Sequence, residues 1–215
     1  MDENGFPIKF LIDGIDRLGK STLISRIQEE LGYHLVIHYD KPKVLANYLD
    51  LADCIKRSEV SETDYDESYR NLSIENLARR LYQEDANRGM FDLLKNDTPI
   101  IFDRTHLGEL VYAPLYRKYS GEYVYEMEKD LLESRPFSME SSVRLILLTS
   151  SNTEMLQDDG LGFDFNKKAE EQELFISAFN KSNIVNKVIV DVHNGNGGYK
   201  TYEEVFQEAI YKTHK

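Results

Sequence analysis

The chain has 215 residues, of which 41% are hydrophobic and 11% aromatic, so it can bury a sizeable core as a single α/β domain spanning residues 1–215. Its formal net charge of -12 opposes loose binding to long nucleic acid, because such binding depends largely on neutralising phosphates. A small phosphorylated ligand is still possible, since a local group of Lys and Arg side chains is enough to hold it.

Cys54 is the only cysteine, which rules out a disulfide within the chain and fits a reducing compartment. Its apolar neighbours follow a helical pattern, so we expect a buried apolar residue rather than a reactive thiol. The first residues are acidic and unlike a signal peptide, and no apolar run approaches the length that crosses a membrane. These features favour a soluble cytoplasmic protein with no membrane partner.

Short apolar runs alternate with longer helical patterns, which is typical of a parallel sheet covered by helices. The predicted strands are residues 9–12, 35–39, 99–102, 143–148 and 187–192. The predicted helices are residues 20–31, 44–56, 68–95, 107–119, 122–133, 167–179 and 202–212. Together they predict a three-layer α/β/α fold with a five-stranded parallel sheet.

Two stretches lack a regular pattern. Residues 58–67 are acidic and polar, which predicts a loop. Residues 150–166 follow the fourth strand and are long for an ordinary connection, which predicts a mobile lid. A static surface loop explains residues 150–166 nearly as well.

A glycine-rich motif follows the first predicted strand. Gly14, Gly19, Lys20 and Ser21 fill the pattern G-x-x-x-x-G-K-[ST], and a predicted helix begins there. Glycines let several backbone N–H groups converge on one anion, and the helix N-terminus adds the positive end of its dipole. The motif therefore predicts a phosphate-binding P-loop, in which Lys20 reaches the β- and γ-phosphates of ATP and Ser21 binds Mg²⁺. The residues predicted to bind the nucleotide are Gly14, Ile15, Leu18, Gly19, Lys20, Ser21 and Thr22.

Asp103 and Arg104 follow the third predicted strand directly. Ligands of open α/β sheets collect at the carboxyl ends of the strands, so this pair is expected to face the same crevice as the P-loop. Asp103 could bind Mg²⁺ or accept the proton of an attacking oxygen, and Arg104 could hold an acceptor phosphate with two parallel hydrogen bonds. A salt bridge at the end of the strand is the simpler alternative.

The segment Asp-Gly-Ile-Asp-Arg-Leu-Gly-Lys-Ser-Thr, together with Phe-Asp-Arg-Thr-His at the third strand, resembles the thymidylate kinase family of P-loop nucleoside monophosphate kinases. The resemblance implies transfer of the γ-phosphate of ATP to a deoxynucleoside monophosphate with the help of Mg²⁺. It also implies a fold with five parallel strands and frequent homodimers. The stretch after Arg104 looks like viral kinases of this group.

The resemblance matches Asp16 to a P-loop acid near the acceptor sugar and phosphate, and Arg17 to a catalytic arginine of the eukaryotic-type members. Those members lack a lid arginine, and residues 150–166 likewise contain no Arg or Lys. Either segment can supply the extra cation that the transferring phosphoryl group needs. Lys167 and Lys168, at the end of the lid, could help to supply this cation, but solvated lysines that start a helix are expected instead.

Three further residues are matched to the acceptor. Tyr112 falls where the family places an aromatic ring against deoxyribose, although a half-buried core tyrosine explains it equally well. Gln83, within the acceptor-binding helices expected at residues 44–95, falls near an arginine that reads thymine, which puts strict thymine specificity in doubt. Lys41 follows the second strand, where the family contacts the acceptor phosphate.

Two other features have competing explanations. His106 and Glu109 have the spacing of a metal-binding pair, but capping of the following helix is expected instead. Residues 194–198 form a glycine-rich turn that in similar kinases lies beside the adenine of ATP, and an ordinary turn explains them equally well.

The leading hypothesis is an ATP-dependent deoxynucleoside monophosphate kinase acting on a dTMP-like acceptor. Its expected catalytic residues are Asp16, Arg17, Lys20, Asp103 and Arg104. A deoxynucleoside kinase is the alternative, in which Asp103 acts as a base on the 5′-hydroxyl. A nucleotide-binding switch module is disfavoured, because the Asn/Thr-Lys-x-Asp guanine signature is missing. The acidic charge disfavours a kinase that acts on DNA.

Overall fold

The computed structural model describes residues 9–38, 90–94, 98–134, 142–156 and 165–212. Within them five parallel strands form one sheet in the order β2-β3-β1-β4-β5. The strands are β1 (Lys9–Asp13), β2 (Leu35–His38), β3 (Ile100–Asp103), β4 (Val143–Thr149) and β5 (Lys187–Asp191). The predicted five-stranded parallel sheet is therefore confirmed.

The central strands are apolar because both faces of the sheet are covered. Every residue of β1 and β4 is buried, and β1 pairs with β3 on one side and with β4 on the other. In this register Ile12 lies beside Asp103, so the carboxyl ends of β1 and β3 finish at the same level. The loops that follow these two strands therefore begin next to each other.

The helices pack in two groups against this sheet. They are α1 (Lys20–Leu31), α2 (Met90–Leu94), α3 (Leu107–Tyr112), α4 (Tyr123–Ser134), α5 (Lys168–Lys181) and α6 (Tyr202–Tyr211). Helix α1 contacts α6, whereas α3 contacts α5 and α4, so the described elements form the predicted three-layer α/β/α arrangement. None of the described helices is long and apolar enough to cross a lipid bilayer.

The helix predicted at residues 107–119 is interrupted. Helix α3 ends at Tyr112 and is followed by a π-helical segment (Ala113–Arg117), after which Lys118 has a left-handed φ of 61°. Pro114 has no N–H group to continue the α-helical ladder, which explains a break at this point. The single-helix prediction is therefore wrong here.

Several predictions lie outside the described residues. They include the helix at 44–56, the loop at 58–67, Cys54, and the helix at 68–95 apart from α2. Of residues 150–166, the structure describes 150–156 and 165–166. The lid and the single-domain organisation stay predictions.

Candidate active site

The β1–α1 loop has a backbone that only particular residues tolerate. Gly14, Arg17 and Gly19 all have positive φ angles, of 133°, 76° and 79°. A Cβ atom on Gly14 would lie 2.4 Å from the backbone oxygen of Leu148 in β4, so this position admits only glycine. Gly19 then leads into α1 without a side-chain cap, which leaves the first N–H groups of the helix available to an anion.

Lys20 turns its ammonium group back into this loop. Its Nζ donates hydrogen bonds to the backbone oxygens of Gly14 at 2.9 Å and Ile15 at 2.8 Å. Burial lowers the pKa of Lys20, while the charges of Asp16 and Asp13 oppose that shift. The loop therefore holds a desolvated cation at the start of α1, as a phosphate-binding loop requires.

Asp16 connects the two predicted motifs. Its Oδ1 accepts a hydrogen bond of 3.1 Å from Nη2 of Arg104 and lies 3.6 Å from Nζ of Lys20. Burial alone would raise the pKa of Asp16, but the positive charges of Lys20 and Arg104 hold it below its ordinary value. Lys20 and Arg104 therefore open onto the same cleft, as expected from the ends of β1 and β3.

Asp103 is paired with His38 and not with the neighbouring Arg104. Its Oδ2 lies 3.2 Å from Nδ1 of His38, at the end of β2. Its Oδ1 is buried and has no hydrogen-bond partner among the described residues. Among the described residues, the contacts of Asp103 and Arg104 lead to two different groups, His38 and Asp16.

The donor groups at this end of the sheet fit Mg²⁺. Ser21 is exposed on the first turn of α1, and the charge of Asp103 acts on neighbouring Lys20. Hydroxyl and carboxylate oxygens are the ligands that Mg²⁺ prefers. In the described part of the chain, no group of three or more His, Cys, Asp or Glu side chains could hold a metal ion.

Asp13 and Thr105, which were not predicted to be functional, connect the phosphate-binding loop to the turn that carries Arg104. Asp13, the last residue of β1, is 1% exposed and accepts hydrogen bonds from the backbone of Gly14 and from Thr105. Burial raises the pKa of Asp13, and the hydrogen bond from Thr105 opposes that shift. The signal in the sequence is an acidic residue that ends the apolar run of residues 10–12 and directly precedes the first glycine of the motif.

The overall shape of the chain is shared with known nucleotide-binding proteins. The YorR protein from Bacillus subtilis, in complex with phosphorylated GDP, matches with a TM-score of 0.55 at 14% identity, over 93% of this chain and 92% of its own. The thymidylate kinase of Candida albicans matches with a TM-score of 0.53 at 18% identity, over 94% of this chain and 89% of its own. This is the fold of the P-loop kinases. No protein-family model and no curated protein matches the chain.

Within this P-loop kinase fold, the remaining loop residues divide into two kinds. The side chains of Ile15 and Leu18 are buried, at 0% and 4% exposure, so only their backbone groups can face a nucleotide. Arg17 is exposed at the tip of the loop, and Thr22 is half-buried on α1. Lys41 and Gln83, which the sequence matches to the acceptor, lie outside the described residues.

Tyr112 lies on α3 with its ring half-buried. Its ring centroid is 5.9 Å from that of Phe175, in an edge-on arrangement, and 6.1 Å from that of Tyr116. Burial raises the pKa of Tyr112, and the negative charges of Asp13 and Glu171 raise it further. The ring therefore packs as a core residue, while its hydroxyl lies within reach of the charges of the cleft. Contact with deoxyribose stays a prediction.

Lys168 contradicts the prediction of a solvated lysine. It is 7% exposed, and its Nζ lies 3.4 Å from Oε2 of Glu171. Oε1 of the same carboxylate accepts a 2.6 Å hydrogen bond from the hydroxyl of Tyr116. The positive charge of Lys168 contributes to the low pKa of Asp16. Lys167, the residue before α5, differs, because it is half-buried and its Nζ lies 5.1 Å from the centre of the Tyr116 ring. The prediction failed because burial at the start of a helix depends on the packing of α5 against α3.

His106 and Glu109 do not cap α3. Nε2 of His106 lies 2.9 Å from Oε1 of Glu128, and Glu109 accepts hydrogen bonds from Arg117, Tyr119 and Tyr123. The capping prediction is therefore wrong for both side chains. Thr105 caps the start of α3 instead, because its Oγ1 accepts a 3.1 Å hydrogen bond from the backbone N–H of Leu107.

The glycine-rich turn at residues 194–198 is closed by Asn194. Its side-chain oxygen accepts hydrogen bonds from the backbone of Asn196 at 3.1 Å and of Gly198 at 3.0 Å. These bonds account for the turn without a ligand. A position beside adenine stays a prediction.

Proposed function

We propose that the protein is an ATP-dependent kinase that transfers the γ-phosphoryl group to a deoxynucleoside monophosphate of the dTMP type, with the help of Mg²⁺. One observation carries the proposal: a single carboxylate oxygen of Asp16 lies between Lys20, at 3.6 Å, and Arg104, at 3.1 Å. The two cations are close enough to hold two phosphates that exchange one phosphoryl group. Phosphoryl transfer depends mainly on such positioning and on charge compensation.

The donor half of the cleft is the loop between Gly14 and Lys20. Backbone N–H groups at the start of α1 and the ammonium group of Lys20 would bind the β- and γ-phosphates. Ser21 and Asp103 would hold Mg²⁺, which neutralises charge on the phosphates when it is bound. Arg17, exposed at the tip of the loop, would add a cation where charge develops on the transferring group.

The acceptor half is the turn after β3. The guanidinium group of Arg104 is one-third exposed, and its planar shape suits a phosphate held by two parallel hydrogen bonds. Tyr112 would lie against the sugar, and Asp16 would organise the sugar and the acceptor phosphate. Lys41 and Gln83 are proposed to contact the acceptor phosphate and base.

A deoxynucleoside kinase is the second candidate, and one atom favours it. Oδ1 of Asp103 is a buried acceptor with no partner among the described residues, and its Oδ2 is already held by His38. A carboxylate arranged in this way could take the proton of a 5′-hydroxyl. Arg104 would then have no acceptor phosphate to bind, which is why the monophosphate is preferred.

The test is an acceptor screen with Mg²⁺ and ATP or GTP. Release of ADP is measured with the common nucleosides and their 5′-monophosphates, and then with Lys20→Ala, Arg104→Ala and Arg26→Ala. Turnover with a deoxynucleoside monophosphate is expected in the wild type, and a loss of several orders of magnitude in Lys20→Ala. Arg26→Ala is the matched control, because Arg26 is a cation of α1 that pairs with Glu29 and Glu30 on the same helix and with Glu203 on α6, none of which belongs to the candidate site.

The screen separates the candidates. Turnover with nucleosides alone, insensitive to Arg104→Ala, would establish the deoxynucleoside kinase. Slow ATP or GTP hydrolysis that no acceptor stimulates would favour the switch module. Full activity of Lys20→Ala would contradict every version of the proposal. The homodimer that the resemblance implies remains a proposal, and sedimentation of the active protein measures it.

A further inference from the structure

We propose that Asp13 is a positioning residue, which fixes the Arg104 turn against the phosphate-binding loop through its hydrogen bonds to Thr105. The inference rests on the proposed function, because it concerns the distance between Lys20 and Arg104. Asp13 is only 1% exposed, so it cannot contact a substrate and would act through the residues that it bonds to.

Both oxygens of Asp13 are used, and each faces a different motif. Oδ1 accepts a 3.1 Å hydrogen bond from the backbone N–H of Gly14, the first residue of the phosphate-binding loop. Oδ2 accepts one from the backbone of Thr105 at 3.0 Å and a second from the Thr105 hydroxyl at 2.6 Å. One buried carboxylate thus connects two loops that are 92 residues apart in the sequence. We call the two bonds from Thr105 the Asp13–Thr105 link.

Arg104 needs such a link because its backbone is strained. It has a φ of 69°, a left-handed conformation that residues other than glycine rarely adopt. Such conformations persist only where the surrounding structure imposes them. Here the backbone N–H of Arg104 donates to the oxygen of Ile12 at 2.9 Å, and the next N–H, of Thr105, donates to Asp13. Two consecutive N–H groups of the turn are therefore held by the last two residues of β1.

The two ends of the link lead directly to the phosphate-binding cations. Gly14 also provides one of the backbone oxygens that hold the ammonium group of Lys20. Thr105 follows Arg104, and its hydroxyl oxygen accepts the backbone N–H of Leu107, where α3 begins. Loss of the link would let the Arg104 turn relax while the loop around Lys20 kept its own bonds. The expected defect is a displaced acceptor site beside a largely intact donor site.

The experiment uses Asp13→Asn and Thr105→Val, each alone and combined with Arg104→Ala. Asparagine keeps the size of Asp13 but replaces one accepting oxygen with an NH₂ group, which cannot accept a hydrogen bond from Gly14 or Thr105. Valine keeps the shape of Thr105 without its hydroxyl. We expect kcat/KM for the acceptor to fall about 10- to 100-fold in each single variant, since a displacement near 1 Å costs this much. ATP affinity is expected to change much less. Thr105→Ser, which restores the hydroxyl, is expected to restore most of the activity.

The double variants separate positioning from general destabilisation. If Asp13 acts through Arg104, then Asp13→Asn should have little further effect once Arg104 is alanine. The inference would be overturned if the fold-losses in kcat/KM of the two single variants multiplied in the double variant. It would also be overturned if the loss in each variant followed its loss of thermal stability. Thr105→Val supplies the same test if Asp13→Asn does not fold.

A second measurement does not depend on kinase activity. Hydrogen exchange of the Arg104 and Thr105 amides is expected to be slow in the wild type and faster in Asp13→Asn, with the α6 amides as an internal reference. Unchanged protection of both amides would contradict the inference even in an active enzyme. If the wild type turned over no acceptor but the two amides still exchanged faster in Asp13→Asn, the proposed function would be overturned and the Asp13–Thr105 link would be supported.

Discussion

Oδ1 of Asp16 accepts a 3.1 Å hydrogen bond from Nη2 of Arg104, and the same oxygen lies 3.6 Å from Nζ of Lys20. The carboxylate therefore stands between the two cations, at the place where a phosphate group is expected. Its negative charge compensates theirs and competes with an incoming anion for the same hydrogen-bond donors.

The first prediction is that Asp16→Asn binds pyrophosphate more tightly than the wild type while its turnover falls. Removing the charge leaves Lys20 and Arg104 less compensated, and at this partly exposed site the gain should be about 3- to 10-fold in affinity. Turnover falls because the sugar and the acceptor phosphate lose their organising carboxylate. Calorimetric titration with pyrophosphate in the absence of nucleotide measures the affinity.

Glu29→Gln is the control for Asp16→Asn, because it removes one negative charge from the exposed face of α1. Its pyrophosphate affinity should stay near that of the wild type. Weaker pyrophosphate binding by Asp16→Asn would show that Asp16 supports the anion site and does not compete with it.

The second prediction is that Gly14→Ala disrupts the phosphate-binding loop. The added Cβ would lie 2.4 Å from the backbone oxygen of Leu148, and a φ of 133° is strained for alanine. We expect a loss of about 1–3 kcal/mol in the free energy of unfolding and a loss of ATP binding. Denaturant unfolding and ATP titration measure the two effects.

Gly195→Ala is the matched control for Gly14→Ala, since no atom lies within 4 Å of a Cβ built there. It should leave the free energy of unfolding nearly unchanged. Normal ATP binding by Gly14→Ala would contradict the geometry of the β1–α1 loop.

Local sequence was enough to predict the sheet and the phosphate-binding loop. Buried parallel strands appear as short apolar runs, and the glycines, Lys20 and Ser21 act within a few residues of one another. The shared end of β1 and β3 followed from a general rule of α/β sheets, which is why Arg104 could be assigned to the same cleft.

The missed features depend on contacts between distant residues. Asp13 and Thr105 are 92 residues apart, and neither belongs to the motif that names the loop. Lys168 is buried where α5 packs against α3 and pairs with Glu171, and no local pattern distinguishes it from Lys167. Sequence periodicity also continues through residue 119, whereas the buried Glu109 binds Tyr119 and Tyr123 across the break after α3.

The third prediction concerns Arg144, a buried residue of β4. Its guanidinium group donates to the backbone oxygens of Ala209 and Lys212, both at 2.6 Å, and to the side chain of Asn186 at 2.7 Å. It therefore holds the carboxyl end of α6, where free carbonyl groups favour a cation. Arg144→Met should lower the free energy of unfolding by about 2 kcal/mol, because it removes the donors to the buried carbonyl of Ala209 and the partly buried carbonyl of Lys212. Denaturant unfolding measures the change.

Arg26→Met is the comparison for Arg144→Met, because Arg26 pairs with exposed carboxylates, Glu30 on α1 and Glu203 on α6. Exposed ion pairs contribute little to folding, so its stability should hardly change. Equal losses in the two variants would mean that Arg144 stabilises the fold only through its charge and not through the end of α6.

The fourth prediction concerns stability at acid pH and rests on Glu128 of α4. Burial alone would raise the pKa of Glu128, but His106 at 2.9 Å and Ser182 at 2.6 Å lower it to about 2. The backbone and side chain of Asn183 add two further hydrogen bonds to the same carboxylate. These bonds join α4 to the start of α3 and to the end of α5.

The unfolded chain binds the Glu128 proton near pH 4.5, and the folded protein does so only near pH 2. The ionised carboxylate therefore stabilises the fold fully above pH 4.5, and this contribution of about 3 kcal/mol is lost as the pH falls toward 2. Glu128→Gln should lower stability at pH 7 and flatten its decline over this interval. Glu133→Gln, on the exposed face of the same helix, should keep the wild-type decline. Urea unfolding at a series of pH values measures the free energy of unfolding. If it fell between pH 4.5 and 2 as steeply in Glu128→Gln as in the wild type, the acid sensitivity would come from other carboxylates.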